Sequence, residues 1–177
     1  MATYHPAKVA REKDAATQQV LTFELGGGTY GFEILRVREI RGWTSVTKIP
    51  QAPPHVLGIL NLRGSIVPVM DLRMRFALER AHYTQVTVII VLSVHSQAGR
   101  CEVGVVADGV SDVVDVNPAH IKQPPDLGAG CATDYILGLV PAGERMTVLL
   151  DIDRLIGAQL AAFSAERPAL APTVEAA

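Results

Sequence analysis

The sequence is short of cysteine, of net charge and of long apolar runs, and each shortage argues against a class of protein. Its 177 residues include 2 cysteines, Cys101 and Cys131, which stand 30 positions apart without a CxxC pair. That spacing favours reduced thiols in a cytosolic protein over a disulfide framework or a zinc site. The formal net charge of -2 lacks the basic excess of nucleic-acid-binding proteins, so no nucleic-acid partner is expected.

The shortage of long apolar runs argues against a membrane-spanning protein. Even the extended apolar stretch from Val86 to Val94 is far too short to cross a bilayer. The first 19 residues carry charges where a signal peptide needs an apolar core. We therefore expect a cytoplasmic protein without direct membrane insertion. With 49% hydrophobic and 19% charged residues, the composition is that of one folded domain, or of two small lobes that share a core.

The motifs of common active sites are absent from the sequence as well. The 5 histidines are scattered without HxxH or HExxH spacing, and no GxSxG nucleophile elbow occurs. Asp71 and Asp151 are candidates for an acid–base pair, but each follows an apolar strand in the position of a helix N-cap. We expect no enzyme activity, cofactor or metal. The alternative is an unrecognised active site, which a deep pocket of titratable groups with perturbed pKa values would support.

What the sequence does contain is a period of two, which is typical of half-buried strands. In VLTFEL, Leu21, Phe23 and Leu25 alternate with other residues, and YGFEI repeats the pattern after a glycine turn, which predicts a hairpin. Further strands are predicted at Val46–Ile49, Gly58–Leu62, Ile66–Met70, Val86–Val94, Cys101–Ala107, Val113–Val116, Ile136–Val140 and Met146–Leu150. Many short strands between Gly and Pro turns indicate an all-β fold.

Helix is predicted in two places. The stretch Ile34–Ile40 has room for a turn or two. Near the end of the chain, Ile152, Ile156, Leu160 and Phe163 repeat at nearly helical spacing. The second pattern predicts a short C-terminal helix that packs against the body of the protein.

An internal repeat divides the strands into two similar sets. Residues 56–76 overlie residues 136–156 without gaps at an offset of 80, with glycine on glycine and aspartate on aspartate. A shorter echo at an offset of 73 aligns Glu39 with Asp112. Duplication of a β-lobe explains these coincidences better than chance likeness between two hairpins.

Glu39 and Arg63 are the charged residues that stand out. Glu39 lies among the apolar residues of RVREIRGW, and Arg63 lies at the tight reversal between two apolar runs. A guanidinium and a carboxylate pair well and would hold two neighbouring segments in register. The alternative is two solvated surface charges that never meet. The second copy keeps the acid as Asp112 but has Gly143 where Arg63 would be.

Four stretches carry a resemblance to a known family: GFEILRVREIRGW, GILNLRGSIVPVMDLRMRF, VGVVADGVSDVVDV and ILGLVPAGERMTVLLDIDRLI. In order and spacing they resemble the successive motifs of the CheW family of chemotaxis coupling proteins, from about Gln18 to Gly157. The resemblance implies an all-β fold of two SH3-like five-stranded β-barrel lobes around a shared hydrophobic core. With the predicted C-terminal helix, it divides the chain into a flexible tail at 1–17, a CheW-like domain at 18–157, and the helix end with a flexible tail at 158–177.

The resemblance also implies a function. Proteins of this family are non-catalytic scaffolds that couple the cytoplasmic tips of methyl-accepting chemotaxis receptors to the regulatory domain of the histidine kinase CheA. It implies a cytoplasmic protein that is recruited to membrane-associated receptor arrays. The alternative within the family is a CheW-like scaffold of a parallel chemosensory pathway that controls surface motility or gene expression.

Carried over by motif, the resemblance assigns two sets of binding residues. The receptor-binding set is Val37, Glu39, Arg63 and Val113, and the kinase-binding set is Val46, Ile49 and Gly58. For the apolar members the alternative is simple packing in the core of a short β-lobe. We expect Arg63→Ala to weaken receptor coupling more than it destabilises the fold.

Overall fold

The computed structural model describes residues 17–79, 82–97, 99–126, 128, 133–142 and 144–165. The described strands are β1 Gln18–Leu25, β2 Gly28–Glu33, β3 Val37–Gly42, β4 Val56–Leu62, β5 Ser65–Asp71, β6 Val88–Ser96, β7 Gly99–Ala107, β8 Gly109–Val116, β9 Ile136–Ala142 and β10 Arg145–Leu150. Two α-helices, α1 Leu72–Arg75 and α2 Ile152–Ala165, follow β5 and β10. Short 3-10 turns lie at Ile34–Arg36 and Pro118–His120.

The strands form two five-stranded sheets that exchange chain segments. One sheet has the order β3-β6-β7-β5-β4 and forms lobe 1; the other has the order β8-β1-β2-β10-β9 and forms lobe 2. In each sheet one pair is parallel, β5 with β7 and β2 with β10, and the other pairs are antiparallel. Because β1 and β2 belong to lobe 2 while β3 to β7 belong to lobe 1, the lobes are intertwined. The predicted all-β fold with two SH3-like lobes is confirmed.

The internal repeat is visible in matching hydrogen bonds. The amide of Asp71 donates to the carbonyl of His55 over 2.8 Å, and the amide of Asp151 donates to the carbonyl of Tyr135 over the same distance, 80 residues later. A pair of reciprocal bonds joins residue 47 to residue 59 in lobe 1 and residue 122 to residue 139 in lobe 2. The shift of 73 places β2 on β7 and β3 on β8, which hold equivalent positions in the two sheets.

The main hydrophobic core lies between the two sheets and takes side chains from both. Phe23 and Phe32 of lobe 2 stack with ring centroids 4.8 Å apart, and Ile90 and Leu92 of lobe 1 are fully buried in the same cluster. Each lobe also has a smaller interior core of its own. Burial on both faces explains why the first five residues of β6, Val88 to Leu92, are all apolar.

Helix α2 closes one side of the shared core, as predicted. Ile152, Leu155, Ile156 and Leu160 are buried, and the helix packs against β6. The side chain of Phe163 lies outside the described residues. The Asp151 carboxylate accepts hydrogen bonds from the amides of Asp153 and Arg154, so its predicted role as an N-cap is confirmed. The boundary predicted at residue 157 falls inside this helix, and residues 1–16 and 166–177 lie outside the described part of the chain.

The structure corrects two local predictions. Within Ile34–Ile40, one 3-10 turn covers Ile34–Arg36 as predicted, but the rest of the stretch belongs to β3. A β-bulge between Val37 and Glu39 inserts one residue into β3, and burial alternates along the strand, so Val37 and Ile40 do not share a face. Val46–Ile49 is not a strand, because only Thr47 pairs with β4; the prolines that begin at Pro50 limit further pairing.

Asp71 caps α1 as predicted, and it also belongs to a buried ion network that the sequence did not suggest. Its carboxylate accepts from the Arg73 amide at 2.9 Å and from Arg73 Nη2 at 2.7 Å. Arg73 is 1% exposed and also donates from Nη1 to Asp108 at 2.8 Å. Hydrogen bonding to Asp71 raises the pKa of Arg73 above its ordinary value. This network fixes α1 against β7.

Candidate interaction surface

Glu39 and Arg63 meet at the open seam of lobe 1. Glu39 lies on β3 and Arg63 lies in the turn between β4 and β5, and β3 and β4 are the two edge strands of the sheet. Arg63 Nη2 donates to Glu39 Oε2 over 2.9 Å. The pair therefore joins one edge of the lobe to the hairpin at the other edge, and the alternative of two charges that never meet is excluded.

The ion pair contributes little to the stability of the fold. The Arg63 side chain is 83% exposed and the Glu39 side chain is 28% exposed. Exposed pairs of this kind contribute about 0–1 kcal/mol because water screens them and both side chains lose freedom. The Arg63 guanidinium has N–H donors beyond the one that bonds Glu39, and it is exposed to solvent, which suits recognition of a partner.

The turn that carries Arg63 does not need an arginine. Arg63 and Gly64 have φ angles of 51° and 90°, and Leu62 pairs with Ser65, so this is a two-residue hairpin turn with both central residues in the left-handed region. Such turns favour Asn-Gly, and a larger L-residue in this conformation costs roughly 1–2 kcal/mol. The side chain of Asn61 supports the turn by accepting from the Gly64 amide at 2.9 Å. Local structure thus gives no reason for arginine at this position.

Val37 and Val113 lie on the edge strands of different lobes and differ in exposure. Val37 begins β3 and packs partly against the shared core, so core packing accounts for part of its side chain. Val113 lies on β8 and is 43% exposed. Core packing therefore does not explain Val113.

The repeat identifies an apolar residue that the sequence prediction missed. At the offset of 73, Val113 aligns with Ile40 on β3, which is 42% exposed. Each lobe thus presents one branched apolar side chain at the same place on its edge strand. Ile40 could be identified only with the structure, because the sequence alone does not show which apolar residues face outward.

Asp112 occupies in lobe 2 the position that Glu39 has in lobe 1. Its amide and carbonyl both bond the Thr22 hydroxyl, at 3.1 and 2.9 Å, and its carboxylate accepts from the Val113 amide at 2.8 Å. Gly143, the counterpart of Arg63, lies outside the described residues. Within the described ranges Asp112 forms no ion pair, so the seam of lobe 2 lacks the charged bridge that lobe 1 has.

Val46, Ile49 and Gly58 lie around the short bridge between Thr47 and β4. Gly58 is buried with φ at 151°, and a Cβ there would lie 2.2 Å from the Thr47 carbonyl oxygen and 3.1 Å from Val46 Cγ2. Val46 packs partly on the interior core of lobe 1, and Ile49 is half-buried. Gly58 therefore shapes the segment that carries Val46 and Ile49 and offers no contact surface of its own.

A polar clamp that the sequence did not reveal holds the start of β3. Arg36 Nη2 donates to Asp153 Oδ2 at 2.5 Å, and the His95 amide donates to Asp153 Oδ1 at 2.7 Å. Arg36 Nη1 lies 3.0 Å from His95 Nδ1. The clamp ties the 3-10 turn before Val37 to β6 and to α2, so the C-terminal helix positions the edge strand that carries Glu39.

Catalytic features are not found in the described part of the chain. Among those residues, no three His, Cys, Asp or Glu side chains lie close enough together to hold a metal ion. Cys101 is a free, half-buried thiol whose pKa is raised by burial, which makes it less reactive. Within the described ranges, no helix has both the length and the apolar character needed to cross a membrane.

Two intertwined β-lobes with exposed edge-strand apolar residues and an exposed arginine define a protein-interaction module. The sequence model of the CheW-like domain matches residues 19–160. The chain is 44% identical over 142 residues to a chemotaxis protein CheW of Klebsiella aerogenes, which covers 80% of this chain and 83% of that protein. It is 29% identical over 141 residues to Protein FrzA of Myxococcus xanthus, covering 78% and 85% of the two chains.

A solved structure agrees with these matches. The crystal structure of the scaffolding protein TtCheW from Thermoanaerobacter tengcongensis has a TM-score of 0.70 and 28% sequence identity, and the match covers 79% of this chain and 92% of that one. The chain therefore belongs to the CheW family of chemotaxis scaffold and adaptor proteins.

Proposed function

We propose that this chain is a non-catalytic scaffold that couples methyl-accepting chemotaxis receptors to the histidine kinase CheA. Membership in the CheW family supports a role as an adaptor. The observation that carries the proposal is the Glu39–Arg63 pair, which exposes a guanidinium in a turn that has no structural need of it. The working place of such a scaffold is the cytoplasm, at membrane-associated receptor arrays.

The receptor-binding surface in this proposal consists of Val37, Glu39, Arg63 and Val113. A helical receptor tip presents an apolar ridge with polar flanks, and its docking site needs branched apolar residues beside a charged rim. Exposed Val113 meets the first requirement, and the ion pair on lobe 1 meets the second. Ile40 extends the apolar part of this surface.

The kinase-binding surface consists of Val46 and Ile49, shaped by Gly58. The proposed partner is the regulatory domain of CheA, itself a CheW-like module, so the contact would join two similar lobes. Half-buried apolar residues on an irregular segment between two edge strands suit such a contact, since an interface gains most from a desolvated apolar centre. Single contacts of this kind are modest, and an array gains strength by joining many of them.

The experiment that tests the proposal compares receptor binding by Arg63 variants. Arg63→Ala and Arg63→Asn both remove the guanidinium, and Asn also fits the turn. We expect receptor-fragment affinity to fall by at least about tenfold in both variants, as for a central charged contact, while kinase binding stays unchanged. The control is Arg145→Asn, an exposed arginine at the start of β10 in lobe 2. Equal receptor binding by wild type and both Arg63 variants would contradict the assigned surface.

A second candidate function is a CheW-like scaffold of a parallel chemosensory pathway. The match to Protein FrzA favours it, since that relative covers nearly as much of the chain as the chemotaxis protein does. Deletion of the gene separates the two candidates. Loss of swimming chemotaxis supports the first; normal chemotaxis with altered surface motility or gene expression supports the second.

A further inference from the structure

Lobe 2 has an open cavity of about 500 Å³ at the end next to α2. Its lining includes the apolar residues Phe32, Leu149 and Ile152 and the acidic residues Glu33 and Asp151. Its volume falls within the range of roughly 300–1,000 Å³ that is typical of ligand sites. No residue of the proposed receptor or kinase surface lines this cavity.

The internal repeat shows what fills the equivalent space in lobe 1. Asp151 corresponds to Asp71, whose carboxylate receives Arg73 Nε at 2.9 Å and Nη2 at 2.7 Å. The hydroxyl of Tyr83 donates to the same carboxylate at 3.3 Å, and its ring stacks on Trp43 with centroids 4.0 Å apart. The Arg73 guanidinium lies 5.1 Å from the Tyr83 ring centroid. In lobe 1 the aspartate that corresponds to Asp151 is therefore paired with the protein's own arginine, and an aromatic ring lies next to the guanidinium.

Lobe 2 lacks these groups in the described part of the chain. Asp153 stands where the repeat would place the arginine, and it is turned toward Arg36. At the offset that relates Thr47 to Lys122, Pro118 stands in the place of Trp43. The Asp71 side chain is 2% exposed, whereas that of Asp151 is 23% exposed.

Among the described residues, the acidic ones around the cavity lack the buried arginine that pairs with Asp71 in lobe 1. Arg36 also lines the cavity, but Asp153 takes up its charge. Arg154 approaches Asp151 Oδ2 at 3.5 Å with a side chain that is 67% exposed, which leaves it a weak partner. Within the described ranges Glu33 has no ion pair. A lining with two acidic residues and several apolar ones is complementary to a guanidinium with an aromatic ring next to it.

We propose that this cavity binds an arginine side chain of a partner protein, covered by an aromatic residue of the same segment, in the way that lobe 1 binds its own Arg73 under Tyr83. The guanidinium donates to Asp151 and Glu33, and the ring covers the apolar wall. The surface is distinct from those assigned above, so its test does not depend on the receptor or the kinase.

The probe is the blocked dipeptide acetyl-Arg-Tyr-amide, titrated into the full-length ¹⁵N-labelled protein, with acetyl-citrulline-Tyr-amide as the uncharged control. We expect chemical-shift changes centred on residues 32–33 and 149–152, and a loss of about tenfold or more in affinity for the citrulline probe. Asp151→Asn keeps a good helix N-cap and Glu33→Gln keeps the shape of the side chain. Both should weaken binding, while Glu102→Gln, at an exposed position of β7, should not.

Three outcomes would overturn the proposal. Shifts centred elsewhere would do so, and so would equal binding of the citrulline probe. The third outcome is that the full-length chain does not bind the arginine probe, whereas a chain that lacks residues 2–16 does. That result would make the basic N-terminal stretch with Lys8, Arg11 and Lys13 the occupant. Thermal unfolding of each variant checks that a loss of binding is not a loss of fold.

Discussion

At the scale of single residues, the backbone conformation of Arg63 shows that this residue is not there to stabilise the fold. Its left-handed φ of 51° is unfavourable for an arginine, and its exposed ion pair returns at most about 1 kcal/mol. The side chain is thus held at the seam of lobe 1 without net gain in stability. A residue of this kind is a good target for substitution, because the fold should tolerate its loss.

We predict that Arg63→Asn leaves the free energy of unfolding unchanged or raises it by up to about 1 kcal/mol. Asparagine adopts the left-handed turn conformation more easily, and this offsets the lost ion pair. Urea denaturation of wild type and variant measures the difference. A decrease of more than about 1 kcal/mol would show that the ion pair stabilises the lobe more than its exposure indicates.

Gly58 is the opposite case, because the fold should not tolerate its substitution. A binding assay on a Gly58 variant therefore cannot test its proposed role alone. We predict that Gly58→Ala lowers the free energy of unfolding by about 2–3 kcal/mol, because its Cβ would lie 2.2 Å from the Thr47 carbonyl oxygen. The matched control is Gly42→Ala, where a Cβ would meet nothing within 4 Å. Thermal unfolding of both variants gives the comparison, and equal stability of the two would contradict the crowding at Gly58. Loss of kinase binding in Gly58→Ala is therefore informative only beside this measurement.

At the scale of elements, the edge strand β3 depends on α2. The Arg36–Asp153 bond joins residues 117 positions apart, and the His95 amide completes the clamp from β6. Edge strands are held by a neighbour on one side only, so an anchor at the start of β3 limits its opening. Through this contact the C-terminal helix positions the edge strand that carries Glu39.

We predict that Asp153→Asn speeds amide hydrogen exchange in residues 34–42 while leaving β7 protected. The substitution weakens the bond to Arg36 and keeps the shape of the side chain. Hydrogen exchange followed by mass spectrometry resolves the two regions. Asp134→Asn, a nearby change outside the clamp, serves as the control. Equal exchange of 34–42 in all three proteins would show that α2 does not anchor β3.

Several elements could be predicted from the sequence because their signals are local. The hairpin that carries Arg63, the capping aspartates and the buried face of α2 each follow from a short pattern of residues. Other features depend on distant parts of the chain. The bulge at Val37–Glu39 is set by pairing with β6, which a local pattern of residues does not show. The Arg36–Asp153 clamp has no sequence signal, since its partners lie on separate elements.

At the scale of the whole molecule, the exchange of strands between the two copies of the repeat joins them in one fold with a shared core. Lobe 1 is a contiguous stretch from β3 to β7, whereas lobe 2 combines β1 and β2 with β8 to β10, so lobe 1 is inserted in the sequence of lobe 2. The shift of 80 residues predicted two similar lobes, but it could not show which strands each lobe takes. The lobes then differ in their charges: lobe 1 has the bridge at its seam and a buried arginine, and lobe 2 has an open cavity.

We propose that this arrangement allows one small protein to bind a receptor and a kinase at the same time. The proposed receptor surface includes residues on the edge strands of both lobes, and the proposed kinase surface lies on the segment before β4. The most direct test is size-exclusion chromatography of the full chain with a receptor cytoplasmic fragment and the CheA regulatory domain. We predict a ternary complex for wild type and, for Arg63→Asn, a complex with the kinase domain alone. Folded wild-type protein that binds neither partner would contradict the account.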